Sequence, residues 1–512
     1  MSIATIMPAA WLRRRWPWLA VAMLAGPVAA ADQVGAFRNL LLRNPYADPA
    51  GGNFGRGIVG GDFDDDGVDD LAIAESGSTR LRIALGAAWN LPTTSPVIPF
   101  LPSTVTTPFQ SGVLASGDFD GDGRDEIAIG HPFVSVGGAA GAGTVYVLDR
   151  AANGTWSVQV TIRAGGTFPG SPVAQAHLGN ALAVGDFDDD GYDDLAIGLR
   201  GQVVDGQSGA GAVMVVYGTA GGLAAPGARL FDRSNDGLTF APRESDRYGW
   251  ALAAGDFDDD GYDELVVGVP NATCPNGTDR GGGVVALAGS AGGVVTSATR
   301  IWRPGVLGIG GDCATSGGFG SALAAGEFDS LIVTPDDLAI GAPTTAGGGA
   351  VHVIYGSFDG LDAARNQRLT PPVRPGIDSS AARFGQVLAN ARLAYECAFI
   401  TCLGHSLAIG APFTDVDGVD AAGAVWLVMP LLGESSLDPA SIRPILPKAP
   451  LRIAGPHANE QFGASLAVGD FNDDSRTDLA IGAYLYDEAD ATDAGAVQLL
   501  YQSDYLFVDP FE

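Results

Sequence analysis

The sequence predicts an all-β fold: a seven-bladed β-propeller of four-stranded antiparallel blades. Three observations carry that expectation. An acidic nine-residue loop, D-x-D-x-D-G-x-x-D/E, recurs between two short apolar runs, starting at Asp62, Asp118, Asp186 and Asp256, with an altered copy at Asp470. The same order of parts repeats seven times at spacings of about 55–80 residues, and self-similarity at such a period marks a repeat architecture. Glycine makes up 74 of 512 residues, about twice its usual share, which suits tight turns between short strands and argues against long helices.

Each element follows from local residue pattern. A unit opens on an aromatic-Gly turn, as at Phe54-Gly55, Tyr248-Gly249, Phe319-Gly320, Phe384-Gly385 and Phe462-Gly463. An apolar first strand follows, such as Ala181 to Gly185, then the acidic loop, then a second strand such as Leu195 to Gly198. A Gly-rich connection leads to a third strand, such as Gly211 to Gly218, and a fourth closes the unit, as at Thr299 to Trp302. Short apolar runs bounded by Gly, Asp and Pro read as buried strands. Four short strands cannot bury both faces alone, so the units must stack, and a ring of radial blades achieves this.

The expected boundaries are 1–30 for a removable leader and 31–512 for a single propeller, with blades near 52–107, 108–174, 175–244, 245–315, 316–380, 381–458 and 459–512. The last unit ends soon after its third strand, so 37–43 is expected to supply the missing fourth. The rival for that place is Tyr505 to Val508.

The acidic loop has the chemistry of a calcium site. Calcium is a hard cation that takes six to eight oxygen ligands. Positions 1, 3, 5 and 9 supply side-chain oxygens: Asp62, Asp64, Asp66 and Asp70; Asp118, Asp120, Asp122 and Glu126; Asp186, Asp188, Asp190 and Asp194; Asp256, Asp258, Asp260 and Glu264. Position 7 would offer the backbone carbonyl of Val68, Arg124, Tyr192 or Tyr262, and Gly at position 6 permits the sharp turn. The copy at Asp470 keeps Asn472, Asp474, Arg476 and Asp478 but has Ser475 in place of Gly, so it reads as a weaker fifth site. A single copy could be a solvated acidic turn; four in one frame point to the metal. Two units depart from the pattern. The fifth starts Glu327-Phe328-Asp329 and lacks the Asp-Gly turn. The sixth has Arg392 at the first position and carries Cys397 and Cys402 in its loop.

Charge and termini bound the function. The formal net charge is −31, and without Lys/Arg patches a nucleic-acid partner is excluded. Arg13-Arg14-Arg15, an apolar stretch from Trp18 to Leu24, and Val28-Ala29-Ala30 read as an export signal for general secretion, with an uncleaved anchor as the alternative. No later segment has the 18 or more continuous apolar residues of a membrane helix. Exported cysteines pair, and four of them allow three connectivities. Cys274 falls between second and third strands and Cys313 between blades, hence on one face. Cys274–Cys313 and Cys397–Cys402 are therefore favoured, the latter as a clasp in place of calcium.

Phe-Gly turns, the acidic loops and the triplets Gly341-Ala342-Pro343 and Gly410-Ala411-Pro412 resemble FG-GAP repeats, the units of the integrin alpha N-terminal propeller. The resemblance covers roughly residues 34–512. It implies the seven-bladed fold, calcium on the loops named above, and adhesion. Integrin alpha chains add leg domains and a membrane helix and bind ligand with a beta subunit. This chain shows no such segments and is more similar to the exported FG-GAP proteins of bacteria.

No catalytic constellation emerges. His131, His177, His352, His405 and His457 fall in different units, without the H-E-x-x-H spacing of zinc sites. Gly404-His405-Ser406-Leu407-Ala408 misses the nucleophile-elbow pattern by its last Gly. Gly141-Ala142-Gly143 lacks the strand-turn-helix context of a phosphate loop. FG-GAP enzymes carry their chemistry in a separate domain, for which repeats beginning near residue 52 leave no room. The expected function is a secreted or envelope-located, monomeric calcium-binding module that binds protein or glycan at a cell surface or matrix. The alternatives are a passive envelope scaffold and a hydrolase or lyase acting on polysaccharide. The discriminating region is the face opposite the acidic loops, where 271–283, with sequons at Asn271 and Asn276, and 315–318 are candidates; a third sequon is at Asn153.

Overall fold

The second strand of every repeat is six residues long and buried at all six positions: Asp70–Glu75, Glu126–His131, Asp194–Leu199, Glu264–Val269, Asp337–Ala342, Ser406–Ala411 and Asp478–Ala483. Strand side chains alternate between faces, so complete burial means that both faces of each sheet are covered. This explains why these runs read as uniformly apolar rather than alternating. The computed structural model describes residues 39–43, 53–75, 80–86, 97–99, 112–237, 241–306, 308–329, 335–391, 396–397, 400–401, 405–430, 436–447, 455–487 and 493–502. The expected leader at 1–30, Arg392, Cys402 and the segment 505–508 lie outside them.

Among the described residues, seven four-stranded antiparallel sheets form the blades of the propeller. Each takes its strands in sequence order. Blade 3 is typical, with Leu178–Gly185, Asp194–Leu199, Ala212–Val216 and Arg229–Asp232 side by side. Blade 7 is the exception. Its strands Ser465–Gly469, Asp478–Ala483 and Ala496–Leu500 are completed by Asn39–Arg43 from the other end of the chain. Leu40 lies opposite Leu499 and Leu42 opposite Val497 in that antiparallel pair. Among the described residues, the helical elements are two 3₁₀ turns, Cys313–Thr315 and Pro439–Ser441.

The apolar core is divided among the seven junctions between blades. Leu71 and Ile73 pack with Phe471, Val497 and Leu499 of blade 7, whereas Ala72 and Ala74 on the same strand pack with Ile127 and Ile129 of blade 2. The FG and GAP glycines meet at these junctions. A Cβ on Gly198 would lie 2.2 Å from the carbonyl oxygen of Gly249 in the next blade, and one on Gly341 would lie 2.1 Å from that of Gly385. The paired motif therefore records a close backbone approach that only glycine allows.

Candidate metal centre

Each acidic loop joins a first strand to a second and is wound around its opening aspartate. Asp62 Oδ1 accepts from the N–H groups of Asp65 (2.8 Å) and Asp66 (3.3 Å), and its Oδ2 accepts from Gly67 (2.9 Å). Asp118, Asp186, Asp256 and Asp470 each accept from the residues four and five positions on. The fifth position accepts from the seventh at 3.0 Å: Asp66 from Val68, Asp122 from Arg124, Asp190 from Tyr192, Asp260 from Tyr262 and Asp474 from Arg476. The sixth position is left-handed, with φ of 84° at Gly67 and 90° at Gly191, and Ser475 bears the same strain at 66°.

This winding gathers carboxylates. One oxygen from each of Asp62, Asp64 and Asp66 lies within 4.8 Å of the others, and so do those of Asp118, Asp120 and Asp122 and of Asp256, Asp258 and Asp260. In blade 3 the trio is Asp186, Asp188 and Asp194. Asp64 Oδ1, Asp188 Oδ1, Asp258 Oδ1 and Glu126 Oε1 are buried with no hydrogen-bond partner among the described residues. A buried anionic oxygen without a donor is costly, and a hard cation is what such a set of oxygens accommodates. Burial, with Asp190 and Asp186 close by, pushes the Asp188 carboxyl up to about 6. The residues fit the ion. Asn472 replaces one carboxylate in the loop at Asp470.

The ninth position points inward. Asp70, Asp194 and Asp478 are fully buried. Asp194 Oδ2 accepts from Phe187 N–H (3.0 Å) and Oδ1 from Gly218 N–H (2.8 Å), tying the loop to the end of the third strand. Asp70 makes the same two bonds with Phe63 and Gly86, and Glu126 and Glu264 hold Phe119 and Phe257. Desolvation pushes Asp70 and Asp194 up to about 8 and Glu126 and Glu264 up to about 9. These acids clasp the hairpin as well as facing the loop.

The eighth position carries a role that motif matching missed. Its N–H donates to the first-position carbonyl of the preceding blade: Asp69 to Asp470, Asp125 to Asp62, Asp193 to Asp118, Asp263 to Asp186 and Asp336 to Asp256, at 2.8–3.1 Å. The carboxylates of Asp69, Asp193 and Asp263 accept the reciprocal N–H of Asp470, Asp118 and Asp186. At blade 6, His405 does both, through its N–H to Glu327 and its Nδ1 from Glu327 N–H. The signal was present: all four intact loops have Asp at position 8.

The opposite ends of the blades carry cations stacked on aromatic rings. Arg200 and Arg247 each lie 4.9 Å from the ring centre of Trp250, Arg383 lies 4.4 Å from Phe413, and Arg56 lies 5.2 Å from Tyr484. Phe133, 40% exposed, meets His177 edge to face. Cys274 and Cys313 are joined at this end, with Cα atoms 5.8 Å apart; the other favoured pair includes Cys402, outside the described residues.

Sequence comparison agrees with this geometry. The FG-GAP repeat model matches residues 112–148, 248–287 and 462–500, and the FG-GAP-like repeat model matches 51–129. The chain carries FG-GAP repeats, and its propeller is similar to that of integrin alpha chains. Integrin alpha-PS2 of Drosophila melanogaster is 31% identical over 225 residues, covering 42% of this chain and 15% of that protein. Integrin alpha-V of Gallus gallus is 28% identical over 222 residues, covering 42% and 20%. The phosphatidylinositol-glycan-specific phospholipase D of Rattus norvegicus is 34% identical over 179 residues, covering 34% and 20%. The chain thus matches a fifth or less of the length of each of these relatives. No described helix is long and apolar enough to cross a membrane.

Proposed function

We propose that this chain is a secreted, calcium-stabilised FG-GAP propeller that serves as a binding module of adhesion type, engaging a protein or glycan at the cell surface or in matrix. The observation that carries the binding reading is the row of cation–aromatic pairs opposite the acidic loops, around Trp250, Phe413 and Tyr484. Aromatic and Arg side chains dominate binding hot spots. Neither Arg200 nor Arg247 makes an ion pair among the described residues, although the chain holds 59 acidic residues. The likeness to integrin alpha chains supports the same reading.

Calcium is assigned to the loops that open at Asp62, Asp118, Asp186 and Asp256, with a weaker site at Asp470. When bound, the ion supplies positive charge that neutralises the gathered carboxylates. The chain's own part is to hold those oxygens together through the inward-turned N–H groups and to join each loop to the next blade through position 8. Extracellular modules of this kind fill at calcium affinities of roughly 10⁻⁴–10⁻³ M.

Capture from surface extracts, with wild type and an Arg200→Ala/Arg247→Ala variant, with and without calcium, tests both parts. A partner retained by wild type and lost by the variant is the expected result; equal retention by both would sink the binding face. EDTA is expected to lower the melting temperature by about 5–10 °C, because the ion binds only the folded state. An unchanged melt would remove the calcium assignment.

A further inference from the structure

Blade 5 keeps the frame of the acidic loop but fills it differently. Phe328 N–H donates to Asp337 Oδ2 at 2.8 Å, as Phe257 N–H does to Glu264 Oε2 at 2.9 Å. Gly356 N–H donates to Asp337 Oδ1 at 2.8 Å, as Gly218 N–H does to Asp194 Oδ1 at the same distance. Asp337 is therefore a ninth-position acid, and Asp329 occupies the place of Asp64, Asp188 and Asp258.

That third position is where the blades diverge. In blades 1, 3 and 4 its Oδ1 is buried without a hydrogen-bond partner. In blade 5 the Asp329 side chain is 1% exposed, and its Oδ2 receives a 3.2 Å hydrogen bond from Arg365 Nη2. Arg365 lies on the fourth strand of the same blade, Asp362–Leu369. It is held from two other sides: Nη1 donates to Gly356 O at 3.1 Å, and the guanidinium carbon lies 5.3 Å from the ring centre of Tyr355. The Tyr355 hydroxyl is fixed in turn by Gln367 and by Leu437 N–H. One side chain thus joins loop, third strand and fourth strand.

We propose that Arg365 is a built-in cation that closes blade 5 without metal. The proposal rests on the calcium reading of the other loops. Three points support it. No acidic residue lies between Asp329 and Asp336, so the fifth-position ligand is missing. A divalent ion would have to sit beside a fixed positive charge already bonded to the same carboxylate, which like-charge repulsion opposes. The guanidinium fork satisfies a carboxylate and a carbonyl at once, a task suited to Arg rather than a point charge. Blade 1 provides the contrast. Arg150 Nη1 lies 3.3 Å from Asp64 Oδ2, yet Asp64 Oδ1 still lacks a partner and its trio of carboxylates is intact.

Hydrogen exchange on the full chain, in calcium and in EDTA, tests this. In EDTA, exchange in Asp194–Leu199 of blade 3 is expected to rise about tenfold or more, while Asp337–Ala342 of blade 5 changes less than about twofold. Arg365→Gln is expected to raise exchange in Asp337–Ala342 about tenfold in both buffers, and Arg365→Lys to recover part of the protection. If blade 3 responds to EDTA and blade 5 responds equally, the proposal alone falls. If neither blade responds, the calcium reading falls and takes the proposal with it. Should Arg365→Gln fail to fold, the two wild-type arms still decide.

Discussion

His352 lies in the third strand of blade 5, 1% exposed, with its ring edge to face against Phe319 at 5.2 Å. Burial, with the Arg368 charge adding, pulls its imidazole down from 6.5 to about 4. The unfolded chain binds this proton below about 6.5 and the folded chain only below about 4. Between those values the unfolded state carries more protons, so stability falls as pH drops through that window. Replacing the ring by one that cannot protonate, His352→Phe, is expected to remove on the order of 2–3 kcal/mol of this acid sensitivity. Melts of both proteins at pH 7 and pH 4.5 check it: an identical pH dependence would mean the residue does not set acid stability. Sequence showed His352 only as an isolated histidine far from any ligand spacing, because its chemistry comes from burial. The third-position aspartates are the opposite case. Asp64, Asp188 and Asp258 were legible from spacing alone, since alternate residues of a tight turn face the same point. That their Oδ1 atoms lack a protein donor is a property of the folded loop.

At the scale of the element, the acidic loop and the FG and GAP glycines are two sides of one junction. The loop end is latched by position 8, and the other end requires glycine on both partners. Gly198→Ala would place a methyl group 2.2 Å from Gly249 O and 3.3 Å from Ala181 Cβ. Neither neighbour can swing aside, so blades 3 and 4 must separate, at a cost of about 2–3 kcal/mol. Gly292→Ala is the control: no heavy atom lies within 4 Å of the added carbon, and the change should stay within about 0.5 kcal/mol. Denaturant midpoints of the two variants make the comparison, and equal midpoints would contradict the close-approach account. The strands were legible because each is short, apolar and bounded by turn residues. The latch was not separated from metal binding, because an acid beside an acid gives no sign of which one faces the neighbouring blade.

For the whole molecule, the decisive contact is the one between the chain's two ends. Asn39–Arg43 covers the edge of Ala496–Leu500, and an uncovered edge would offer a template for aggregation. Leu42, 7% exposed, packs into the cluster shared by blades 7 and 1. Leu42→Asp would bury an unpaired charge there and is expected to destabilise the ring by about 3–5 kcal/mol. The variant should also associate, by strand pairing at the freed edge, as light scattering would reveal; a monomeric variant of wild-type stability would show that closure does not depend on this strand. The same junction is joined at its acidic end by Asp69 and Asp470, and at its Phe-Gly end by Ser465 Oγ donating to Gly55 O at 2.7 Å.

By itself, the sequence determined that this protein repeats a four-stranded unit seven times and offers oxygen ligands at the turns. Both are local properties, written within a few residues by strand periodicity and turn chemistry, and repetition amplifies them. Only the tertiary structure decided the rest. Gln498 reaches Leu40 O across 458 positions of sequence, Arg365 reaches Asp329 across 36, and His405 stands in for an aspartate at one junction. Such contacts have no period and need no particular spacing. They exist because closing the ring brings distant backbone together, and whichever side chain is present then completes the bond.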